Sequence, residues 1–113
     1  MGVYKDQYPY DMPRQEAMDR VRALTDYWDT RYGTRTSWEG NRGEIRGRAL
    51  GISFEATFII DPGLMNGEMK VSVLAVKMGG RRYLKGKLDE YLDPVHTLEE
   101  LQARLVGLTR LRV

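Results

Sequence analysis

Side chains that could perform acid–base chemistry are few and scattered in this sequence. His96 is the one histidine, and it follows Pro94 in a predicted loop with no evident carboxylate to orient it. Glu39, Glu44 and Glu55 fall on separate predicted strands, and carboxylates that meet across a sheet can act as general acid and base. Outward-facing strand carboxylates are usually only solvated, however, and the lack of cysteine removes thiolate nucleophiles and metal ligands. We therefore predict a protein that is not an enzyme, with no catalytic residue, metal ligand or cofactor.

A cluster of positive charge is the first candidate binding site. Arg81, Arg82 and Lys85 lie in the first turns of a helix predicted to follow Gly79 and Gly80, whereas acidic residues collect at its end. This order opposes the helix dipole and costs up to ~1 kcal/mol per charge at the surface. Free backbone N–H groups beside two guanidinium groups would suit a carboxylate or phosphate, so these three residues are candidate anion ligands. The alternative is that the two arginines pair with acidic residues of the first helix or project into water.

A second basic group accompanies a tryptophan. Arg46 and Arg48 share one face of a predicted strand, and Trp38 lies on the adjacent strand, so the three form a candidate contact surface. Basic side chains interleaved with an aromatic ring can bind single-stranded nucleic acid through phosphate contacts and stacking. Glu39 and Glu44 dilute this charge, and cross-strand salt bridges explain the pattern equally well. Nucleic acid is therefore an unfavoured partner.

The longest predicted element is an N-terminal amphipathic helix over Pro13–Tyr32. Asp11 is its predicted N-cap, and Gly33 is its predicted left-handed C-cap. Its apolar face has spacings of four, three, four and four residues and consists of Ala17, Val21, Leu24, Trp28 and Tyr32. Residues 1–12 are predicted to be a tail or a short edge strand.

About four strands are predicted after this helix, at residues 34–39, 44–49, 52–60 and 69–76. Their short connections predict an antiparallel meander. Strict alternation of apolar and polar residues in the third strand is typical of a sheet with one buried face. In the fourth strand Leu74 and Val76 interrupt the polar side, so we predict a second contact surface within residues 74–87.

Two further amphipathic helices are predicted toward the C-terminus. The first stops at Asp93-Pro94, and the second follows a capping-box pattern at Thr97 and Glu100. The second helix carries a leucine stripe, which consists of Leu98, Leu101, Leu105 and Leu108. This stripe folds back on the domain, pairs with another copy in a homodimer, or lies flat on an apolar boundary such as a granule surface.

These elements predict a single α+β domain over residues 1–113, with residues 94–113 as a helical extension. The helices are expected to cover one face of the sheet in a two-layer sandwich. The hydrophobic fraction of 42% and the net charge of +2 are ordinary for a globular protein. The sequence shows neither a signal-peptide pattern nor an apolar run long enough for a transmembrane helix. The expected location is the bacterial cytoplasm.

Taken in order, the elements resemble those of the polyhydroxyalkanoic acid system proteins, a family of small bacterial proteins. The resemblance covers roughly residues 13–93, and it rests on Ala17, Val21, Leu24, Tyr32-Gly33, Trp38-Glu39-Gly40, Gly47, Ile52–Ile60, Lys77, Leu88-Asp89 and Leu92. Members usually begin with a strand that bears a histidine and end near the position of Leu92, and this chain departs from both features. Because the family is named for its gene neighbourhood, the resemblance implies no active site. It implies only a bacterial cytoplasmic setting and a partner in the polyhydroxyalkanoate granule or its proteins.

The expected function is therefore that of a non-enzymatic accessory or binding protein associated with polyhydroxyalkanoate storage granules or their proteins. The alternative is a small module that binds an anionic ligand or nucleic acid through basic surface residues. A structural homodimer built on the last helix is a third interpretation.

Overall fold

The computed structural model describes residues 2–49, 51–72, 75, 77 and 79–111. Its elements in chain order are β1 (Gly2–Pro9), α1 (Arg14–Tyr32), β2 (Arg35–Glu39), β3 (Arg42–Ala49), β4 (Ile52–Asp61), β5 (Leu64–Val71), α2 (Gly80–Tyr91) and α3 (Leu98–Leu111). The predicted α+β class is confirmed, and the sheet has five strands where about four were expected. No helix in the described part of the chain is long and apolar enough to cross a membrane.

The five strands form one antiparallel sheet in the order β1-β5-β4-β3-β2. The last four are the predicted meander, with left-handed glycines in the tight turns at Gly40, Gly51 and Gly63. The additional strand, β1, pairs with β5 along its whole length, starting from Gly2 opposite Val71. The N-terminal residues are thus an edge strand, which was one of the two alternatives that the sequence allowed.

The fourth predicted strand is displaced along the chain. β5 begins at Leu64, in a segment predicted to be a loop, and ends at Val71 rather than near residue 76. Ser72 explains the early end, because its Oγ accepts a hydrogen bond from the backbone N–H of Ala75 at 3.2 Å. A serine hydroxyl that accepts from an N–H three residues later is the arrangement that begins a helix.

The backbone after β5 is accordingly helical at Ala75 and Lys77. The strand predicted for this stretch is therefore wrong. Leu74 and Val76 lie outside the described residues, so the contact surface inferred from them stays a prediction.

The sheet has a covered face, against which α1 and α2 pack, and an open face that meets solvent. On β4 the covered face consists of Phe54, Ala56, Phe58 and Ile60. On the same strand the open face consists of Ser53, Glu55, Thr57 and Ile59. The neighbouring strands continue this alternation in register, as expected for a half-buried antiparallel sheet.

The core between the helices and the sheet is built mainly on α1. Ala17, Val21 and Leu24 are at most 1% exposed, which confirms the apolar face that their spacing predicted. Ile60 from β4 and Tyr91 from α2 complete the same cluster and are equally buried.

The two ends of α1 differ in how well the sequence predicted them. Gly33 ends the helix with left-handed backbone (φ 73°), and its N–H donates to the carbonyl of Asp29 at 3.0 Å. At the start, Pro13 occupies the N-cap position and no side chain caps the helix, so the N-cap predicted at Asp11 is wrong.

One buried charge ties α1 to the end of α2. Arg20 is 3% exposed, and its guanidinium donates to the backbone carbonyls of Tyr91 at 3.0 Å and Asp93 at 3.1 Å. Glu16 supplies a carboxylate at 3.2 Å, so the charge is compensated. A cation at the C-terminal end of a helix is also favoured by the helix dipole.

The leucine stripe of α3 packs against α1 of the same chain. Leu101 is 1% exposed, Leu98 packs on the core, and Leu105 is half-buried. Of the three interpretations of the stripe, folding back on the domain is the one observed for these residues. The side chain of Leu108 lies outside the described part. A homodimer through the stripe would require α3 to leave the domain.

Candidate ligand cleft

A cleft lies between the covered face of the sheet and α2. The part of it next to α1, which we call the inner cavity, has a volume of about 360 Å³. Its aromatic walls are Trp28, Tyr32, Phe54, Phe58 and Tyr83. Aliphatic side chains complete it, among them Ile45, Ile52, Met69, Val71 and Leu84. None of the described residues that line the inner cavity carries a charge. The size and composition are those of a small-molecule pocket.

Three aromatic residues bring hydrogen-bonding groups to the wall of the inner cavity. The indole Nε1 of Trp28 donates to the hydroxyl of Tyr83 at 3.4 Å. The hydroxyls of Tyr83 and Tyr32 are also hydrogen-bonded, and this bond, together with burial, raises the pKa of Tyr32 above its ordinary value. Hydroxyl and indole groups of this kind can orient a ligand by hydrogen bonding.

The part of the cleft next to β1, at the edge of the sheet, is the outer cavity, and it has a volume of about 480 Å³. Its apolar lining comes from Ala56, Phe58, Met65, Met69, Leu84 and Leu88. Arg81, Arg82 and Lys85 line the same cavity. The structure thus brings the three predicted anion ligands together at one mouth of the cleft.

The inner and outer cavities are continuous in their lining. They share Ala56, Phe58, Met69 and Leu84. The floor along β4 from Phe54 to Phe58 is roughly 13 Å long at ~3.3 Å per residue. The two cavities therefore adjoin along one apolar floor, which is uncharged at the inner end and has cations beside it at the outer end.

The three cations of the outer cavity have different surroundings. Arg81 forms a two-point ion pair with Asp6 of β1, in which Nε donates to one carboxylate oxygen at 3.1 Å. Lys85 Nζ lies 3.1 Å from a carboxylate oxygen of Asp89, one turn along α2. Arg82 is exposed and forms no ion pair with any described residue.

These contacts decide between the alternatives that the sequence left open. Asp6, the partner of Arg81, belongs to β1, and Arg82 has no ion pair with a described residue, so the alternative in which the arginines pair with the first helix is wrong. Projection into water is confirmed for Arg82.

Side-chain contacts with β1 hold α2 over the outer cavity. Beside the Arg81–Asp6 pair, the hydroxyl of Tyr8 donates a hydrogen bond to Asp89. This bond, with the contribution of Lys85, holds the pKa of Asp89 below its ordinary value. The guanidinium of Arg81 also lies 5.5 Å from the centre of the Tyr4 ring, within cation–π range.

The candidate contact surface of Trp38, Arg46 and Arg48 is not assembled by the fold. Trp38 lies on the covered face, where Gly43 is its partner on β3 and the Arg22 guanidinium lies 5.2 Å from its ring centre. Arg46 and Arg48 project from the open face. The prediction that the three residues form one surface is wrong, because a two-residue turn sets the β2–β3 register and sends them to opposite faces.

The carboxylates considered for acid–base chemistry are also kept apart. Glu39, Glu44 and Glu55 are exposed on the open face, and Glu44 pairs with Arg42 at 2.9 Å. In the sheet register, Glu55 stands opposite Arg46. Basic neighbours on the same or the adjacent strand therefore accompany these residues, and the described contacts show no carboxylate pair.

His96 has a carboxylate neighbour that the sequence reading missed. Its Nδ1 lies 2.7 Å from Oε2 of Glu100. The predicted capping residue Thr97 does accept the Glu100 backbone N–H at 3.1 Å, while the Glu100 side chain turns to His96. Within the described residues no group of three His, Cys, Asp or Glu side chains could hold a metal ion.

Two features of the site escaped sequence reasoning. Tyr8 and the rest of β1 help to build the outer cavity, and the only local signal was that Tyr4, Asp6 and Tyr8 fall on alternate positions. The aromatic wall of the inner cavity joins residues from α1, β4 and α2, and no pattern within one element shows this.

In comparisons with known proteins, no family model matches the chain, and no curated protein or solved structure matches it significantly.

Proposed function

We propose that this chain is a non-catalytic binding protein that holds an apolar ligand in the cleft between the sheet and α2. The observation that carries the proposal is the inner cavity, whose described lining is uncharged and mostly aromatic or aliphatic. An apolar group that enters it is removed from water, which contributes about 25 cal/mol for each Å² of apolar surface buried.

The polar groups in the wall support binding with a preferred orientation. The indole of Trp28 donates to the hydroxyl of Tyr83, and the hydroxyls of Tyr83 and Tyr32 are bonded to each other. This arrangement leaves one hydroxyl proton free, so an apolar ligand with a carbonyl oxygen would find a hydrogen-bond donor at this end of the cleft.

We further propose the polyhydroxyalkanoate granule as the setting, in line with the family that the sequence resembles. A polyhydroxyalkanoate chain combines apolar side groups with ester carbonyls, and both kinds of group have counterparts in the inner cavity. Granule proteins are the other partners that the resemblance implies. The support for this setting is the order of the elements along the chain and the chemical match of the cleft.

Filling the cleft is the direct test of binding. Ala56 lines both cavities, and Ala56→Leu places a larger side chain on their shared floor. In a titration with Nile red, a neutral apolar dye, we expect this variant to bind at least tenfold more weakly than the parent chain. Thr57→Leu adds a leucine to the open face at the next position and should leave dye binding unchanged.

The outcome against the proposal is equal dye binding by the parent and both variants. Circular dichroism and thermal unfolding of each variant would establish that it is folded. If Ala56→Leu does not fold, Met69→Phe fills the same floor from β5 and serves in its place.

The granule setting has its own test in cells. A fluorescent fusion of the chain should collect on granules in polymer-accumulating bacteria, and the fusion with Thr57→Leu should do the same. The Ala56→Leu fusion should be diffuse. A parent fusion that stays diffuse would exclude the granule setting without affecting the dye result.

One part of the alternative function keeps specific support. Arg82 is exposed, has no ion pair within the described residues and lines the outer cavity, which favours a small anionic ligand. Nucleic acid has no such support, since the arginines of the open face have no aromatic residue beside them on that face in the described strands.

A further inference from the structure

We propose that the ligand of the cleft is a single apolar chain that ends in a carboxylate, bound with its chain along the inner cavity and its carboxylate at Arg82. This inference rests on the proposed function and adds the class of ligand and its direction in the cleft.

The direction follows from how charge is distributed along the cleft. The inner cavity has no charged residue in its described lining, and the outer cavity carries Arg81, Arg82 and Lys85. A carboxylate placed in the inner cavity would lose hydration with no charged side chain in the described lining to compensate it. The same group at the outer mouth stays partly hydrated and lies close to cations that line the cavity. An anionic chain is therefore expected to bind with its charged end at the outer mouth.

The length of the cleft argues for an extended chain rather than a compact anion. Ala56, Phe58, Met69 and Leu84 line both cavities, so one molecule can lie across the shared floor. A small anion such as phosphate would contact only the rim and leave the apolar lining exposed to water.

Arg82 is the cation of the outer cavity whose charge is not balanced by an ion pair with a described residue. Asp6 occupies two donors of Arg81, and Asp89 accepts from both Lys85 and Tyr8. The other acidic residue of the lining, Glu68, is paired with Thr57 on the open face and stands opposite Lys5 in the β1–β5 register. The positive excess of the outer cavity is thus centred on Arg82, whereas Arg81 mainly holds α2 against β1.

The test compares two ligands that differ only in the end group. Decanoate and decan-1-ol share the same chain length and would each displace Nile red from the parent chain. We expect decanoate to compete more strongly by up to roughly fivefold, the upper end of the range for an exposed charge pair. The preference should shrink as salt rises, because exposed charges are screened.

Two variants test which arginine interacts with the carboxylate of the ligand. Arg82→Gln should weaken the displacement by decanoate until it equals the displacement by decan-1-ol, which removes the preference. Arg48→Gln removes an exposed arginine of the open face and should keep the preference intact.

Each outcome has a separate meaning. If neither compound displaces the dye, the proposed function fails together with this inference. If both displace it equally well from the parent chain, the cleft binds apolar ligands as proposed, and the inference of an anionic ligand is overturned. A preference that survives Arg82→Gln would contradict the assignment of the carboxylate to Arg82.

Discussion

The two faces of the sheet use the same strands for different purposes, and β4 shows the contrast within two consecutive residues. Ile60 on the covered face is 1% exposed, whereas Ile59 on the open face is 38% exposed. Identical side chains on neighbouring positions therefore have different neighbours, different hydration and different consequences when they are replaced.

On the covered face, the stability of the fold depends mainly on the sizes of the side chains. Glycine stands directly opposite large aromatic residues there, with Gly43 opposite both Trp38 and Phe58. The Trp38 ring lies over Gly43, and Gly67, which is also opposite Phe58, lines the outer cavity. Packing on this face thus sets both the stability of the fold and the shape of the proposed site.

On the open face, the interactions between neighbouring strands depend mainly on charge. Along one row of the sheet, Lys70, Glu55 and Arg46 alternate in sign, and Arg35 on the edge strand β2 follows Arg46. Cross-strand charge pairs of this kind contribute roughly 0.2–1 kcal/mol each. The open face should consequently tolerate substitution, and the covered face should not.

The largest expected difference between the two faces is between alanine substitutions of the two isoleucines. Ile60→Ala removes buried methyl groups and should lower the free energy of unfolding by about 2–5 kcal/mol. Ile59→Ala should change it by only about 0.5 kcal/mol, as is usual for surface positions. Urea unfolding followed by circular dichroism measures both. Equal losses would mean that the open face is covered in solution.

A smaller effect is expected from adding one carbon to the covered face. A Cβ built on Gly43 would lie 2.8 Å from the ring of Trp38, so Gly43→Ala should destabilise by about 1–3 kcal/mol through overpacking. Gly67 is on the same face, and a Cβ there would meet its nearest atoms only at 3.9 Å.

The matched control is therefore Gly67→Ala, which should be neutral or stabilising by up to ~1 kcal/mol, because alanine loses less conformational freedom than glycine. Thermal unfolding of the two variants compares them directly. If Gly43→Ala were as stable as Gly67→Ala, the Trp38 ring could not lie where the structure places it.

The smallest effect concerns the contact that holds α2 at the edge of the covered face. Tyr8, followed by Lys85, holds the pKa of Asp89 below its ordinary value. A folded-state pKa below the unfolded one stabilises the fold above the unfolded-state value of about 3.9, and the stabilisation is lost as the pH falls through the folded-state value. Tyr8→Phe should therefore raise the pKa of Asp89 in an NMR titration, and its cost in stability should disappear in acid.

Tyr4→Phe is the control for this titration. Tyr4 lies on the same face of β1, and its hydroxyl has no bond to Asp89. An Asp89 pKa that moves equally in both variants would show that Tyr8 has no specific role.

The elements with strong local periodicity could be predicted from the sequence. α1 has an unbroken apolar face, and β4 alternates so strictly that its buried residues could be named in advance. β1 could be predicted only as an alternative, because its tyrosines and charged residues alternate without a clear apolar side. Its identity as a strand depends on β5, more than fifty residues later in the chain.

The candidate site was predictable only in part for the same reason. Arg81, Arg82 and Lys85 were recognised because their position opposes the helix dipole, which is visible within one helix. Their different partners were not predictable, because Asp6 comes from β1. The face on which Trp38 lies could have been predicted from the sequence. A two-residue turn at Gly40 and Asn41 places Trp38 opposite Gly43 and on the face away from Arg46.

The pairing of β1 with β5 has a consequence for the order of synthesis. β1 leaves the ribosome long before its partner, and at ~5–20 residues per second it waits for several seconds before residues 64–71 are made. During that interval the growing chain has α1 and part of the meander but no place for its first strand. The nascent protein therefore offers an unpaired tyrosine-bearing strand to its surroundings, and a chaperone that binds early in translation would find it there.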